Sequence, residues 1–287
     1  MTDERTLLVP SSLAREAEDK REATRKLGYV ARAATVFRAD RLVVFPDREG
    51  ERRWGGEFVH TVLEYAATPP DLRKEVWDVR DELEYVGVLP PLRVPSPTGS
   101  GPDGAESTVG IVTEVGPDDR VRVNCGMQHP VSLRVPPETT VTEGERVTVR
   151  VSSREPVRAR VVEHPPPGFA VERATVPDAL DAQDGVTVAT SRHGAALSAP
   201  ALTSLVPRVA DGCTVAFGAP GRGLPDILGV PPEAVEPDVD TVAAADAAPA
   251  DGPGFDLWLD TIPRQGSEVV RTEEAMFASL AALTLPQ

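Results

Sequence analysis

Apolar and polar positions in the first 95 residues follow the two periods that mark strands and helices. The runs RTLLV at 5–9 and RLVVF at 41–45 are short, apolar and followed by proline, so each predicts a buried strand. Between them, apolar residues recur at helical spacing up to Phe37. Ser11 and Ser12 are suitable N-caps, so we predict a helix from these serines to residue 37. Helices are also predicted at 57–67 and 72–84, and this alternation favours α/β packing.

The pattern changes after a Pro/Gly/Ser-rich linker at 95–106. Short valine-rich runs separated by turn sequences follow, and a second linker, HPPPG, stands at 164–168. Such closely spaced strands suit a small barrel of the OB type. We therefore predict an inserted OB-like β-barrel at 105–164 within a discontinuous α/β domain made of residues 1–95 and 166–287. The predicted barrel strands are 109–115, 121–125, 131–135, 146–151 and 157–162.

The α/β rhythm resumes with three strands that each lead into a polar, glycine-bearing loop. In open α/β sheets, ligands bind beyond the carboxyl ends of the strands, and glycine lets a ligand approach the backbone closely. The glycine spacing fits neither G-x-G-x-x-G nor a P-loop, so a ligand site and an ordinary turn both remain open. The strands are 186–189, 214–217 and 255–259, and the loops are 190–194 (TSRHG), 218–224 (GAPGRGL) and 261–267 (TIPRQGS).

A final helix is predicted at 271–283. Thr272 would cap it, with Glu273 and Glu274 favourable in its first turn. This interpretation does not account for Gln265, Gly266 or Arg271. Before the helix and its strand, residues 236–254 are acidic and rich in Ala and Pro, which predicts a solvated loop.

The charge balance is strongly acidic and built on arginine. Thirty Lys and Arg against 45 Asp and Glu give a net charge of −15, and only three of the 30 are lysine, which leaves 27 arginines. A high-GC genome and a salt-loving cytoplasm both account for this, and the second would mean a halophilic archaeon. At molar salt the Debye length is about 3 Å, so the net charge does not exclude an RNA partner.

Several function classes have no support in the sequence. No apolar run approaches the roughly 18 residues of a membrane helix, and the acidic N-terminus lacks the features of a signal peptide, so we expect a cytoplasmic protein without a membrane partner. The four histidines lack metal-ligand spacing, and two cysteines are too few for a zinc site, so no metal is expected. Ser191 and His193 lie in one loop and do not make a nucleophile–base pair.

The predicted barrel differs in charge from the rest of the chain. Residues 105–164 carry eight arginines and nine acids, a net of −1, so the remainder carries −14. Its arginines either track an RNA backbone or form the outward face of the strands. The candidates for RNA binding are Arg120, Arg122, Arg146, Arg150 and Arg158.

At the three glycine-bearing loops and in several other segments, the sequence resembles the SPOUT superfamily of α/β-knot RNA methyltransferases. The resemblance is in particular to the branch that carries an OB-like barrel inside the methyltransferase domain. The likeness covers nearly the whole chain. Its segments are YVARAAT at 29–35, LEYVGVLPPL at 83–92, VGIVTEV and VNCGM within 109–127, TVATSRHG at 187–194, AFGAPGRGL at 216–224 and FDLWLDTIPRQGSEVVRTEEAMFASLAAL at 255–283.

The resemblance implies a trefoil knot in the C-terminal part that binds S-adenosylmethionine in a bent shape. It also implies a homodimer and methylation of RNA at uridine N3, with ribosomal RNA as the partner. The cofactor-binding residues it implies are Thr190, Ser191, Gly194, Phe217, Gly218, Gly221, Gly223, Leu224, Thr261, Ile262, Pro263, Gln265, Gly266, Val269, Val270, Arg271 and Thr272.

For the reaction, the resemblance implies direct methyl transfer without a covalent intermediate. An N–H acceptor must lose its proton, so we expect Arg271 and Arg192 to stabilise the developing anion, and Arg32 to reach RNA or the partner subunit. Asp260 stands where relatives often carry Asn, and SRHG replaces a more usual SERG. The alternatives are a ribosome-assembly factor that binds RNA without turnover and a protein methyltransferase.

Overall fold

The computed structural model describes residues 4–70, 72–92, 94, 106–117, 120–127, 129–136, 139–162, 166, 168–182, 185–235 and 254–285. The predicted linker at 95–105, three of the five residues of the linker at 164–168, and the acidic segment at 236–253 lie outside these residues. The chain divides into two compact units: unit 1 comprises 1–67, 81–92 and 169–287, and unit 2 comprises 68–80 and 93–168.

Strands and helices are numbered separately in chain order. The strands are β1 (Arg5–Pro10), β2 (Arg41–Phe45), β3 (Glu106–Val115), β4 (Arg120–Asn124), β5 (Val131–Arg134), β6 (Arg146–Arg154), β7 (Val157–Val162), β8 (Ala170–Arg173), β9 (Val186–Ala196), β10 (Cys213–Ala216) and β11 (Leu257–Asp260). The helices are α1 (Lys20–Val36), α2 (Gly56–Ala67), α3 (Arg73–Val76), α4 (Val176–Asp181), α5 (Ala199–Ala210), α6 (Leu224–Leu228) and α7 (Thr272–Leu283).

Unit 1 is built on a parallel sheet with the strand order β11-β9-β10-β1-β2-β8. Its central strands are near-continuous apolar runs, and Leu7, Leu8 and Val9 are fully buried. Runs of this kind are expected where both faces of a sheet are covered, since every side chain then lies in a core. Because all six strands point the same way, their carboxyl ends meet at one edge.

The predicted start of the first helix is wrong. Helix α1 begins at Lys20, and its N-cap is Asp19, whose carboxylate accepts the Glu22 N–H at 2.7 Å. The serines that looked like caps bond across the fold instead: Ser12 Oγ donates to Asp47 at 2.5 Å, and Ser11 Oγ donates to Glu51 at 2.5 Å. Tertiary partners that are distant in sequence satisfy both hydroxyls.

The helix predicted at 72–84 is also wrong in extent. Helix α3 ends at Val76, where Trp77 takes an extended backbone and its indole N–H donates to Thr68 Oγ1 at 3.0 Å. The next helical turn is a separate 3₁₀ segment, Asp81–Leu83. Helix α3 belongs to unit 2 and the 3₁₀ segment to unit 1.

Unit 2 contains an antiparallel sheet with the order β5-β4-β3-β6-β7. Its edge strands β5 and β7 contact each other, so the sheet is a nearly closed, barrel-like structure. Buried valines such as Val123 and Val149 fill its interior. All five strands predicted from the valine-rich runs are confirmed, with ends shifted by a few residues.

Candidate functional site

A cleft of about 340 Å³ lies at the carboxyl ends of β9, β10 and β11, within the range of about 300–1,000 Å³ that is usual for small-molecule sites. The segments that line it come from all three predicted loops. The lining consists of Thr190, Ser191, Arg192, His193, Gly218, Ala219, Gly221, Arg222, Gly223, Pro225, Asp226, Pro232, Asp260, Thr261, Ile262, Gln265, Glu268, Val269, Val270, Thr272 and Ala275.

The first wall is a bulge in β9 and not a loop that follows a short strand. Ala189 pairs with Trp258, but the next paired residue is Ala195, which lies opposite Leu259, so residues 190–194 leave the ladder with β11. Thr190 Oγ1 donates to the Ala216 carbonyl at 2.8 Å and ties the bulge to β10.

Gly194 closes this bulge by backbone contact. A Cβ at Gly194 would lie 2.6 Å from the carbonyl of Trp258, a distance that real side chains do not adopt. Only glycine fits there, so the role of Gly194 is to let two backbones meet, and it does not line the cleft.

The second wall is the tight turn after β10. Ala219 and Arg222 exchange backbone hydrogen bonds of 2.9 and 3.0 Å, and Gly221 between them has a positive φ of 65°. A Cβ at Gly218 would lie 3.0 Å from the Leu224 nitrogen, so the turn folds tightly over this residue. Glycine is needed at both positions, at Gly221 for its φ and at Gly218 for its close approach.

A side chain from α7 holds this turn. Thr272 Oγ1 donates to the Gly218 carbonyl at 2.8 Å, and Thr272 is 2% exposed. The prediction that Thr272 caps the helix is therefore wrong. Arg271 is the N-cap residue, and the Glu274 carboxylate accepts its N–H at 2.9 Å.

The third wall is the segment between β11 and α7. The Asp260 carboxylate accepts the Ile262 N–H at 3.0 Å, and the hydroxyls of Thr261 and Ser279 bond at 2.7 Å. Partial burial raises the pKa of Asp260 above its usual value. The cleft thus has a carboxyl group at the end of a strand whose burial shifts its pKa upwards.

The cleft also contains cationic groups. Arg192 Nε donates to His193 Nε2 at 3.3 Å, so Nε2 of this ring is the acceptor nitrogen. Arg222 carries a second guanidinium, and the carboxylates of Asp226 and Glu268 face the same space. The site therefore offers both signs of charge together with the apolar side chains of Ile262, Val269 and Val270.

Arg222 is a site residue that the sequence did not single out, although it stands inside the glycine-rich motif. Its Nε lies 3.1 Å from Asp47 Oδ1, and its Nη2 lies 3.4 Å from Glu49 Oε2. Asp47 has only 2% of its side chain exposed and also bonds Ser12. No local pattern marks Asp47, because its partner is 175 positions away.

The three loops bring most of the predicted cofactor residues and Arg192 together. Six predicted residues are absent from the lining. Phe217 and Leu224 are fully buried, and Arg271 turns to Glu16, with Nε 3.2 Å from its carboxylate, which also pairs with Lys26. The six are Gly194, Phe217, Leu224, Pro263, Gly266 and Arg271.

The arginines predicted to bind RNA differ in exposure. In the barrel-like sheet, Arg120, Arg122 and Arg158 are exposed, whereas Arg146 is half-buried and burial lowers its pKa. Arg150 and Arg158 line a groove of about 510 Å³ beside β5 and β7, together with Arg160. In unit 1, Arg32 donates to the Pro91 carbonyl at 3.0 Å.

Metal clusters and membrane-spanning helices are absent from the described part of the chain. Its residues contain no group of three or more His, Cys, Asp or Glu side chains that could hold a metal ion. None of its helices has both the length and the apolar character needed to cross a bilayer.

Comparison with known proteins places the chain in a family. The family described as "Putative RNA methyltransferase" matches residues 4–283. An uncharacterized protein of Halobacterium salinarum is 66% identical over 99% of both chains, and one of Haloarcula marismortui is 62% identical over 98% of this chain and 99% of its own. The 28S rRNA (uridine-N(3))-methyltransferase of Homo sapiens is 29% identical over 97% of this chain and 77% of its own. Because the family match spans nearly the whole sequence, the chain belongs to this RNA methyltransferase family.

Proposed function

We propose that this protein transfers a methyl group from S-adenosylmethionine to N3 of a uridine in large-subunit ribosomal RNA. The observation that carries the proposal is the convergence of three glycine-bearing segments on one cleft at the carboxyl ends of β9, β10 and β11. The similarity to the human 28S rRNA (uridine-N(3))-methyltransferase supports the nucleotide and the class of RNA.

The cleft lining fits S-adenosylmethionine. Ile262, Val269 and Val270 supply apolar surface for the adenine ring. Asp226 and Glu268 supply negative charge for the cationic groups of the ligand. When bound, S-adenosylmethionine supplies a methyl group on a sulfonium centre. The neutral thioether that remains after transfer is a good leaving group.

The residues of this chain contribute binding, orientation and charge. The fixed backbone of the three walls would hold methyl donor and acceptor in line, and such positioning contributes up to about 7–11 kcal/mol in the best cases. Arg192 lies in the lining, which supports a role for its guanidinium in stabilising the anion that forms when N3 releases its proton to water. Arg271 pairs with Glu16 outside the lining, which makes Arg192 the stronger candidate of the two.

Three wider features belong to the same proposal. We infer a SPOUT-type trefoil knot in the C-terminal part, a homodimer in the cytoplasm and RNA contacts from the arginines of the barrel-like sheet. Tyr29 and Val36 are exposed apolar side chains on one helix, α1, which supports the homodimer. Light scattering of the purified protein tests the dimer directly.

The test of the cofactor site is Gly223→Val. Gly223 lines the cleft, its φ of −69° suits any residue, and an added Cβ would come no nearer than 3.5 Å to another protein atom. The variant should therefore fold normally, while the new side chain occupies space that the ligand needs. We expect calorimetry to show at least a tenfold weaker affinity for S-adenosylmethionine, and radiolabelled methyl transfer to large-subunit rRNA transcribed in vitro to fall with it.

The matched control is Gly87→Val, which adds the same group in open space within the 3₁₀ segment Val86–Val88. It should bind the ligand as the wild type does. Equal affinity in both variants would contradict the cofactor site. Label that appears in the protein fraction of a lysate, and not in RNA, would replace the RNA acceptor with a protein one.

A further inference from the structure

The loop between β2 and α2, residues 46–55, lies beside the cleft. Strand β1 pairs with both β2 and β10 in parallel, with Pro10 opposite Phe45 and Leu8 opposite Ala216. The loops that follow β2 and β10 therefore leave the sheet at the same edge. Residues 46–55 are named the β2 loop below.

A buried ion pair joins the β2 loop to the cleft. Arg222, which lines the cleft, places Nε 3.1 Å from Asp47 Oδ1. Asp47 also accepts the Ser12 hydroxyl at 2.5 Å and the Gly50 N–H at 3.2 Å. Because the Asp47 side chain is almost fully buried, its ion pair with Arg222 fixes the base of the β2 loop against the turn after β10.

The β2 loop contains three acids and three arginines, and the structure separates them. Two of the acids bond within the protein: Asp47 pairs with Arg222, and Glu51 accepts the Ser11 hydroxyl at 2.5 Å. The third, Glu49, is 88% exposed, with Oε2 3.4 Å from Arg222 Nη2. Each acid thus has a hydrogen-bond donor within its own unit. The β2 loop therefore has no net charge, but its exposed charged side chains are three arginines and one acid, Glu49.

The arginines of the β2 loop face solvent. Arg48, Arg52 and Arg53 are exposed, and none has a carboxylate partner among the described residues. The Arg53 guanidinium lies 4.9 Å from the centroid of the Trp54 ring, which packs in turn on Phe58 with centroids 5.4 Å apart. In a chain of net charge −15, these three exposed guanidinium groups give the β2 loop a locally cationic surface, and the base of that loop is tied to the cleft by Asp47 and Arg222.

We propose that Arg48, Arg52 and Arg53 bind phosphates of the RNA that flank the nucleotide to be methylated. This inference rests on the proposed function. Guanidinium groups suit phosphate recognition because they present several N–H donors in a fixed plane. The Asp47–Arg222 ion pair sets the position of these contacts relative to the bound methyl donor. The β2 loop would therefore hold the RNA in a fixed position over the cleft.

The test compares two double variants of the full chain. Arg52→Gln with Arg53→Gln removes two charges from the β2 loop, and Arg25→Gln with Arg38→Gln removes two exposed charges from outside it. Arg38 stands just before β2, at the opposite edge of the sheet, and Arg25 is exposed on α1. The probe is large-subunit rRNA transcribed in vitro, titrated over a series of KCl concentrations.

We expect the β2-loop variant to bind the RNA about tenfold more weakly than the control. Its salt slope should be shallower by about 1.4, or about 0.7 for each single-strand phosphate that is no longer neutralised. S-adenosylmethionine affinity should equal that of the wild type. A second variant, Arg48→Glu, should weaken RNA binding in the same direction. Thermal melting shows whether each variant is folded.

Equal RNA affinity and equal salt slopes in the β2-loop and control variants would overturn the inference. Failure of the proposed function looks different. In that case the wild type would bind no S-adenosylmethionine or transfer no methyl group, whatever the variants do to RNA binding. If the β2-loop variant loses RNA binding while the wild type shows no methyl transfer, the inference that the β2 loop binds RNA stands and the proposed methyltransferase activity is contradicted.

Discussion

One hydroxyl group shows how single residues build the cleft. Thr272 begins α7, yet its side chain bonds the Gly218 carbonyl, 54 positions earlier in the chain. This hydrogen bond joins the turn after β10 to the last helix, and both segments line the cleft. The glycine turn is therefore held from outside as well as by its own hydrogen bonds.

Thr272→Val is expected to loosen this turn. Valine has nearly the same shape but cannot donate, so the Gly218 carbonyl is left without its partner, at a cost of about 1 kcal/mol or more in the free energy of unfolding. S-adenosylmethionine affinity should fall several-fold, measured by calorimetry. The control is Thr284→Val, which removes a 2.7 Å hydroxyl bond to Leu280 at the other end of α7. It should leave ligand affinity unchanged, and a reduction that is equal in both variants would refute the role of Thr272.

At the scale of elements, the first turn of α7 carries an unusual buried acid. Glu273 is 7% exposed, and its Oε2 has no hydrogen-bond partner among the described residues. Burial raises its pKa above the ordinary value, while the charge of Lys26 acts in the opposite direction. Lys26 is itself buried and pairs with Glu16. The first turn of α7 thus contains a buried carboxyl group whose pKa is raised.

The raised pKa of Glu273 predicts a pH-dependent stability. The folded state binds the proton more tightly than the unfolded state, so this group stabilises the fold fully below its ordinary pKa of 4.5, and the contribution declines as the pH rises from there through the folded-state pKa. Glu273→Gln does not titrate at this position, so its stability relative to the wild type should rise as the pH increases from about 4.5 upwards. Urea denaturation at several pH values measures this. Glu82→Gln, a control in a 3₁₀ segment, should follow the wild-type profile, and a constant difference for Glu273→Gln would contradict the assignment.

At the scale of the whole molecule, the division into units decides how the barrel-like sheet can be tested. Residues 68–80 belong to unit 2 together with 93–168, so deletion of the inserted strands alone would leave part of that unit unsupported. The net charge of −15 and the identity of 66% and 62% to proteins of Halobacterium and Haloarcula favour measurements at high salt. To test whether the barrel-like sheet binds RNA, substitution of its arginines, measured at high salt, is therefore better than deletion of its strands.

Arg158→Gln with Arg160→Gln should weaken RNA binding and spare the cofactor site. Both arginines line the groove beside β5 and β7, and with two fewer phosphates neutralised the salt slope should be shallower by about 1.4. Filter binding with large-subunit rRNA measures the slope, and calorimetry with S-adenosylmethionine checks the cleft. Arg21→Gln with Arg25→Gln on α1 provides the charge-matched control. Identical slopes for the two double variants would mean that the arginines are only the solvent-facing side of the strands.

Features that depend on neighbouring residues could be predicted from the amino-acid sequence. Apolar runs mark β1 and β2, valine-rich runs mark the five strands of unit 2, and strand-then-glycine patterns mark the three segments that line the cleft. The local sequence encodes these features because each strand needs only its own apolar run or alternation of side chains and its own turn residues. Strand β8 and helices α4 and α6 were not predicted because their segments are only four to six residues long. Helix α5 was not predicted either, although it has 12 residues, because its internal Pro207 argues against a helix in the sequence.

Which polar groups form hydrogen bonds and ion pairs with one another depends on the tertiary structure. Ser11 and Ser12 look like helix caps in sequence, but their hydroxyls bond Glu51 and Asp47, and α1 begins only at Lys20. The partner of Thr272 is a carbonyl in another wall of the cleft. Hydrogen bonds and ion pairs of this kind depend on distances between residues far apart in the chain, which no local pattern of side chains specifies.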